Sequence, residues 1–466
     1  MKPNKSRLFL VALCLFVAMR AMAQLKLAEV FTDNMVLQRE KPVSVWGTAA
    51  PGTSVTVKFA GQTVKATADA AGRFSLQLSP LKASAKPQQM TVSAKGQKLT
   101  VRNILVGEVW LCGGQSNMEF NMGPVWRGGS TNKVNKPATG PDVMAEDLAY
   151  IHSAKGPVHP LVRSLLVEKN LDTDTLPSYG WKGIDAQSIE PLSAVAYYFA
   201  RHLSDSLQVP VGVMVSCWGG SDIQGWTAPG GARFRHMIQP LAPYAMRGIL
   251  WYQGETNLMR GQTRSYESLQ TKLITGWREA WQDETLSFYF VQLAPYLYSP
   301  RREEQLPHTW IELAQFRDVQ DSLQVHVPLS AMAATIDLCD NLKDIHPTYK
   351  WELGRRLCLL ALNKNFGRKQ LVCAGPRMTD VQFEGNKAIV TFDQPLATSD
   401  GKEPRCFTWS DGRRFNRKAG EAKIEGNRVI LTTGSNKPTN VSYAYDEAAI
   451  TNLCNPQGLP AWPFAH

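Results

Sequence analysis

The chain has 466 residues, of which 44% are hydrophobic and 20% are charged, and its formal net charge is +11. A chain of this length has room for two or three domains, each with a sizeable apolar core. Its basic residues are scattered, with only short pairs such as Arg301-Arg302 and Arg413-Arg414. We therefore expect no nucleic-acid partner.

The first residues have the pattern of a secretory signal peptide. Three basic residues precede an apolar run over residues 8–18, and Ala21-Met22-Ala23 forms a small-x-small cleavage site before Gln24. This run of 11 residues is too short to span a bilayer, which needs about 20 apolar residues. We expect residues 1–23 to be removed and the mature protein to be periplasmic or secreted, without a membrane span.

The cysteine pattern argues against a metal site. Seven cysteines remain once Cys14 is removed with the signal peptide, and none of them belongs to a C-x-x-C pair. The odd number leaves at least one thiol unpaired, even if the compartment permits disulfides. We expect neither a metal nor another cofactor.

The first predicted domain is a small β-sandwich over residues 24–103. Segments 42–47, 54–59 and 73–78 alternate apolar and polar residues, and glycine-containing turns separate them. Short strands at regular spacing without a helical pattern are typical of this architecture.

The second predicted domain covers residues 104–370 and has α/β character. Apolar strands are predicted at Ile104–Leu111, Leu161–Val167, Val209–Cys217, Gly248–Tyr252, Leu286–Leu293 and Leu329–Ile336. Amphipathic helical patterns lie between several of them and again after the last one, at 194–207, 266–281 and 351–363. This alternation predicts a parallel sheet with helices on both faces. In such sheets the active site lies beyond the carboxyl ends of the strands.

Residues 371–466 return to β character. Strands are predicted at Lys387–Phe392, Arg428–Thr432 and Val441–Ala444. This segment either forms a module of its own or completes the N-terminal one.

Four polar clusters each follow a strand of the predicted parallel sheet on its carboxyl side. They are Gln115-Ser116-Asn117, Trp218-Gly219-Gly220-Ser221, Gln253-Gly254-Glu255-Thr256-Asn257 and Asp344-Ile345-His346-Pro347. A parallel sheet brings all four to one edge, whereas chance would scatter them over both edges.

These clusters contain the parts of a serine esterase. Ser116 follows two glycines at a strand end and would attack a carbonyl carbon. His346 would accept its proton, because an imidazole titrates near neutral pH. A carboxylate must hold that imidazole in the right tautomer, and Asp344 is nearest in sequence, with Asp340 and Asp337 as alternatives.

The remaining cluster residues would stabilise the oxyanion or support the site. The Ser116 amide, the Gly220 amide and the Asn257 side chain are the candidate oxyanion donors. Gln115, Gln253 and Glu255 are candidates for contacting the substrate or for supporting the residues that do. Three tryptophans are candidates for stacking on sugar rings, although buried tryptophans are more common: Trp126, Trp181 and Trp226.

Two other functions are compatible with the same residues. A glycosidase would use Glu255 with a second acid such as Asp344. A carbohydrate-binding protein would contain the same α/β domain without catalysis. Any one of the 8 histidines is more often structural than catalytic, so it is the four clusters together that favour the esterase.

The chain resembles the sialate O-acetylesterases and related carbohydrate acetylesterases of the SGNH-hydrolase superfamily. The resemblance covers nearly the whole mature chain and rests on Asp33–Gln38, Gly107–Phe120, Ser216–Ser221, Trp251–Asn257, Asp344–Pro347 and Asn455–Ala461. It implies a flavodoxin-like α/β/α core with a flanking β-sandwich module, Ser116 as nucleophile, His346 as base, and Gly220 and Asn257 in the oxyanion hole. The superfamily often has its acid three residues before the histidine; here that residue is Lys343, and Asp344 lies two before. The alternative to an acid is therefore a backbone carbonyl that orients His346.

The resemblance implies a metal-free enzyme that removes O-acetyl groups from carbohydrates through an acetyl-enzyme. O-acetylated sialic acids are the first expected substrates, and an acetylated polysaccharide such as xylan is the alternative. Neither the residues nor the resemblance predicts the acetylated position or the oligomeric state.

Overall fold

The computed structural model describes residues 24–123, 143–173, 175–300, 308–412, 421–434 and 437–466. The predicted signal peptide and Trp126 lie outside these ranges. No helix within the described ranges is both long and apolar enough to cross a membrane. The seven cysteines that follow Cys14 are all described, and all are free thiols.

The N-terminal strands form two facing sheets. Their bounds are β1 (Lys26–Leu27), β2 (Val36–Gln38), β3 (Val43–Thr48), β4 (Ser54–Phe59), β5 (Gln62–Thr67), β6 (Arg73–Leu78), β7 (Ser84–Ala94) and β8 (Gln97–Gly114). One sheet has the order β1-β3-β6, and in the other β4 pairs with β5 and β7, while β7 pairs with β8. Alternate residues of β4 and β6 are buried, as their apolar–polar alternation predicts.

Strand β8 belongs to both the N-terminal module and the central sheet. Its first half pairs antiparallel with β7, and its second half lies between two parallel strands of the central sheet. The predicted boundary between residues 103 and 104 therefore falls inside one continuous strand of 18 residues.

The central sheet confirms the predicted α/β class. Its other strands are β9 (Val162–Val167), β10 (Ser178–Gly183), β11 (Val211–Cys217), β12 (Gly248–Tyr252), β13 (Ser287–Val291) and β14 (Ser330–Ala333). The order is β10-β9-β11-β8-β12-β13-β14, and each neighbouring pair is parallel except β10 with β9. Each of the six predicted strands overlaps one of these; the antiparallel edge strand β10 was not predicted.

Helices cover both faces of this sheet. They are α1 (Ser116–Glu119), α2 (Val143–Ser153), α3 (Ala194–Leu207), α4 (Glu255–Met259), α5 (Tyr266–Trp281), α6 (Glu312–His326) and α7 (Lys350–Asn365). Single turns of other helix types occur at Gln224–Trp226, Phe234–Ile238, Gln239–Leu241 and Thr263–Ser265. Trp110 of β8 packs against Phe199 of α3, whereas Gly113 faces Trp277 of α5. Because residues an odd number apart in a strand point to opposite faces, α3 and α5 cover opposite sides of the sheet.

The C-terminal segment forms β-sheets of its own. Its strands are β15 (Met378–Glu384), β16 (Lys387–Phe392), β17 (Ala397–Thr398), β18 (Phe407–Ser410), β19 (Glu421–Glu425), β20 (Arg428–Thr432), β21 (Asn440–Tyr443), β22 (Leu453–Cys454) and β23 (Phe464–Ala465). They form sheets of order β15-β16-β20-β19 and β18-β21-β23 and a pair β17-β22. These sheets enclose a hydrophobic cluster separate from the main core. Among the described strands, none of the C-terminal module pairs with the N-terminal one.

A buried carboxylate joins the N-terminal module to the central sheet. Glu108 lies on β8 and is fully buried. Its oxygens accept hydrogen bonds from Arg39 Nε at 2.5 Å, Arg247 Nε at 2.8 Å and Gln38 Nε2 at 3.0 Å. Such a charge is stable in the interior only because opposite charges and hydrogen-bond donors surround it.

Two of the tryptophans that were candidates for sugar stacking belong to the core. Trp181 is 2% exposed and donates its indole N–H to the Val30 carbonyl, and Trp226 is completely buried. Neither ring face is open to a ligand, so that expectation is wrong for both residues. Their large apolar area is used to pack the sheet against its flanking loops.

Candidate active site

The four polar clusters lie beyond the carboxyl end of the central sheet. The first three directly follow β8, β11 and β12, which are neighbours in the sheet. The fourth follows β14 after a connecting segment of 10 residues. The edge predicted from the strand pattern is therefore the edge at which these residues meet.

A tight strand-to-helix turn presents Ser116. Gly114 has φ +144°, and a Cβ atom there would lie 2.1 Å from the Tyr252 carbonyl oxygen, so only glycine fits. The Gln115 amide donates to the same oxygen at 3.0 Å. The chain then turns into α1, whose first residue is Ser116. Close contact with the end of β12 thus determines where the hydroxyl lies.

Ser116 and His346 are within hydrogen-bonding distance. The Ser116 Oγ atom lies 2.9 Å from His346 Nε2, although the two residues are 230 positions apart in the chain. The His346 side chain is 21% exposed, so the imidazole can reach a bound substrate. This is the geometry of a nucleophile and its general base.

Of the three candidate acids, Asp344 is the one beside the imidazole. Its Oδ1 atom lies 3.4 Å from His346 Nδ1 and accepts the His346 backbone N–H at 2.9 Å. Asp340 accepts a hydrogen bond from a threonine hydroxyl at 2.8 Å. Asp337 is held by a guanidinium group at 2.7 and 2.6 Å. The latter two carboxylates are therefore bound to other groups.

A glycine turn lies against the serine. A Cβ atom on Gly219 would be 3.4 Å from the Ser116 Cβ atom, and the Gly219 amide donates to Glu119 at 2.6 Å. Gly220 has φ +70°, a conformation that favours glycine. Within the described residues, no hydrogen bond engages the amides of Ser116 and Gly220. Both remain available to a developing oxyanion.

The side chain of Asn257 is fully bonded inside the protein. Its Nδ2 atom donates to Gln224 Oε1 at 3.1 Å and to Gln262 Oε1 at 2.6 Å. Its Oδ1 atom accepts the Ile223 amide at 3.0 Å and Gln253 Nε2 at 2.6 Å. The structure places Asn257 in the site region with both N–H groups engaged, and its role as an oxyanion donor stays a prediction.

Gln115 and Gln253 are buried and hold neighbouring loops together. Gln253 Nε2 donates to Gln115 Oε1 at 3.2 Å, and the Thr256 amide donates to the same oxygen at 3.3 Å. Tyr266 donates its hydroxyl to Gln253 Oε1 at 2.8 Å. Both glutamines therefore support the site rather than face a substrate.

Glu255 is also buried, at 2% exposure. Burial raises the pKa of its carboxyl group, and the Asn117 amide donates to its Oε1 atom at 2.6 Å. A carboxyl group enclosed in this way cannot reach a glycosidic bond in a sugar chain. The geometry does not favour the glycosidase.

The sequence analysis assigned no role to three residues that the structure places around Ser116. Asn117 and Glu119 were seen only as members of a motif, and Lys350 only preceded a predicted helix. Lys350 is buried, which lowers the pKa of its ammonium group to about 7, and it donates to Asn117 Oδ1 at 2.6 Å. A lysine at the start of an amphipathic helix normally lies in solvent, so sequence offered no signal for Lys350.

Trp218 is a partly buried aromatic residue next to the glycine turn. The Lys169 ammonium lies 5.8 Å and the Arg233 guanidinium 5.2 Å from the centre of its ring system. Lys169 is also paired with Glu119 at 2.5 Å. An aromatic residue flanked by cations therefore directly precedes the glycine turn that contacts Ser116.

Residues 106–362 match the family model described as carbohydrate esterase, sialic acid-specific acetylesterase, and this range is more than half of the chain. The chain is 28% identical over 418 residues to the human sialate O-acetylesterase, covering 78% of this chain and 76% of that protein. It is 26% identical over 445 residues to the mouse sialate O-acetylesterase, covering 78% and 79%.

A solved structure is similar over almost the whole chain. It is a carbohydrate acetylesterase from Xanthomonas citri, with 30% sequence identity and a TM-score of 0.79. The similarity covers 95% of this chain and 99% of that one. It therefore includes the N- and C-terminal β modules as well as the α/β domain.

Proposed function

Because the chain belongs to the sialic acid-specific acetylesterase family of carbohydrate esterases, we propose that it removes O-acetyl groups from sugars by a serine mechanism. Ser116 is the nucleophile and His346 the general base. The observation that carries this proposal is the distance of 2.9 Å between Ser116 Oγ and His346 Nε2.

The reaction proceeds in two halves. Ser116 Oγ attacks the acetyl carbonyl carbon while its proton passes to His346 Nε2. The oxyanion is stabilised by the amides of Ser116 and Gly220, and removing one such donor typically costs about 3–4 kcal/mol. The tetrahedral intermediate then expels the sugar oxygen, which takes the proton from His346. In the second half a water molecule gives a proton to His346 Nε2 and its oxygen attacks the acetyl carbonyl carbon. The bond from that carbon to Ser116 Oγ then breaks, acetate leaves, and Ser116 Oγ takes the proton back from His346.

Asp344 orients the imidazole in this mechanism. It is the candidate acid that contacts both the His346 ring and the His346 backbone N–H. A carboxylate in that position holds Nδ1 protonated, so that Nε2 is free to accept the serine proton. It also stabilises the imidazolium that forms during attack.

The serine mechanism is tested with Ser116→Ala, assayed on p-nitrophenyl acetate and by acetate release from an acetylated sugar. We expect kcat to fall by about 10⁴-fold or more, and a fluorophosphonate to label wild type at Ser116 but not the variant. Ser442→Ala, a serine of the C-terminal module, is the matched control and should retain full activity. Full activity in Ser116→Ala would reject the mechanism. Tight glycan binding without acetate release by the wild type would favour the binding protein.

O-acetylated sialic acids are the substrates that we propose first. The human and mouse relatives are sialate O-acetylesterases, and sialic acids carry a carboxylate that the Arg233 guanidinium beside Trp218 can bind. The test compares acetate release from acetylated sialosides and from acetylated xylo-oligosaccharides. Arg233→Gln should raise KM for the sialoside and leave the neutral substrate unchanged. Faster release from the xylo-oligosaccharide by wild type would instead favour the polysaccharide substrate.

We also propose that the protein is exported to the periplasm or beyond the cell. The support is the basic and apolar N-terminal pattern with its small-x-small site before Gln24. The mature protein from the native host should then have Gln24 as its first residue, as N-terminal sequencing would show. A cytoplasmic protein that retains residues 1–23 would contradict this.

A further inference from the structure

The side chain of Asn117 joins three segments that meet beneath the candidate active site. Its Nδ2 atom donates to Glu255 Oε1 at 2.6 Å and to the Ile345 carbonyl at 3.0 Å. Its Oδ1 atom accepts a hydrogen bond from Lys350 Nζ at 2.6 Å. Asn117, Glu255 and Lys350 are at most 2% exposed.

Chemistry determines the orientation of this amide. The Lys350 Nζ atom donates, so the Asn117 oxygen faces it. A backbone carbonyl can only accept, so the nitrogen must face Ile345. Both N–H groups and the oxygen are therefore engaged, and a flipped amide would lose all three hydrogen bonds. The side chain has one orientation in this environment.

The residues next to Asn117 and Ile345 in the chain carry the proposed chemistry. Asn117 directly follows Ser116, and Ile345 directly precedes His346. The hydrogen bond from Asn117 to Ile345 therefore ties the serine turn to the histidine segment across 228 positions of the chain. We propose that Asn117 is a positioning residue that keeps Ser116 and His346 in register, and that Lys350 and Glu255 hold its amide in place. This inference rests on the proposed serine mechanism.

The surroundings of Lys350 support this role. Its ammonium lies 4.9 Å from the centre of the Phe120 ring and 5.2 Å from that of Tyr252, so aromatic faces partly replace its lost hydration. Burial lowers its pKa, while the charge of Glu255 acts in the opposite direction. The Asn117 amide lies between these two groups, with its oxygen toward Lys350 Nζ and its nitrogen toward Glu255 Oε1.

Two substitutions of Asn117 test the inference. Asn117→Ala removes the three hydrogen bonds. Asn117→Asp keeps the shape and the acceptor for Lys350, but replaces Nδ2 by an oxygen that lies against both Glu255 Oε1 and the Ile345 carbonyl. Since a misplacement of about 1 Å can cost about 100-fold in rate, we expect kcat to fall about 10- to 100-fold in both. KM for p-nitrophenyl acetate should change less than about threefold. The rate of Ser116 phosphonylation by a fluorophosphonate should fall in parallel with kcat.

A third variant and a matched control separate positioning from stability. Lys350→Met removes the donor to Asn117 and should give a smaller loss of kcat in the same direction. Asn455→Ala is the control, because Asn455 is also a buried amide that holds backbone and side-chain groups, but in the C-terminal module. It should lower the thermal midpoint and leave kcat unchanged.

Each result with these variants either supports or overturns the positioning role of Asn117. Folded Asn117 variants with kcat within about twofold of wild type would overturn the inference. A loss of kcat in Asn455→Ala equal to that in Asn117→Ala would attribute the effect to general destabilisation and overturn it too. If none of the three test variants folds, these residues are structural and the inference is rejected. An inactive wild type, or an active Ser116→Ala, would instead reject the proposed function.

Discussion

The structure makes a quantitative prediction for Asp344→Asn. In the transition state His346 is an imidazolium, and its Nδ1 atom lies 3.4 Å from the Asp344 carboxylate. Two unit charges at that distance attract by about 5 kcal/mol at an effective dielectric constant of about 20. The neutral imidazole of the resting enzyme lacks this attraction, so most of the energy lowers the barrier. A part of this energy is lost because the distance between His346 Nδ1 and the Asp344 carboxylate is longer than in the strongest charge-assisted hydrogen bonds.

We therefore expect Asp344→Asn to lower kcat by about 10²- to 10⁴-fold, with KM changed less than about threefold. The asparagine oxygen can still accept the His346 backbone N–H, which preserves the shape of the segment while the charge is removed. The measurement is steady-state kinetics on p-nitrophenyl acetate, with circular dichroism to verify folding. Asp340→Asn is the control, because its carboxylate is bonded to Thr348. If Asp344→Asn were no slower than the control, a group other than Asp344 would orient His346.

Two further predictions concern stability. Glu108→Gln leaves the guanidinium groups of Arg39 and Arg247 without their buried partner. The free energy of unfolding in urea should therefore fall by about 3 kcal/mol or more, while kcat of the folded enzyme stays unchanged. A fall no larger than that caused by the exposed substitution Glu284→Gln would refute this prediction. Lys350 binds its proton less tightly in the folded protein than in the unfolded chain, with a folded pKa of about 7. Its protonation therefore destabilises the fold below that pH, and stability is gained as pH rises toward the unfolded value. The test compares the variant Glu255→Gln with the double variant Glu255→Gln/Lys350→Met. The difference between their free energies of unfolding should rise by about 2–3 kcal/mol between pH 7 and pH 9 in favour of the variant that keeps Lys350. A difference that does not change with pH would contradict a buried, proton-binding Lys350.

The strands and helices were predictable because their patterns are local. Continuous apolar runs such as Gly248–Tyr252 predict strands buried on both faces, and the observed β12 has those bounds. The helix over 194–207 was predicted from its 3.6-residue periodicity and has those bounds in the structure. Strand β10 was missed because apolar and polar residues alternate only weakly along it. It is held mainly by pairing with β9. Likewise, β8 continues from the N-terminal module into the central sheet because of the strands with which it pairs in the tertiary structure.

The site could be predicted in part. A rule of parallel sheets places Ser116 and His346 at one edge without knowledge of any distance. The separation of Asp344 from Asp340 and Asp337 depended instead on which partners each carboxylate finds in three dimensions. Asn257 shows the same limit, since one of its N–H groups is engaged by Gln224, which is 33 positions away in the chain.

The sequence by itself determined the succession of strands and helices along the chain and the edge of the sheet at which the polar clusters gather. The first follows from side-chain periodicity and the second from strand direction. Only the tertiary structure decided which polar groups face the serine and which are buried behind it. Hydrogen bonds and charges act over a few ångströms, and residues such as Asn117 and Lys350, 233 positions apart, come within that distance only in the folded chain.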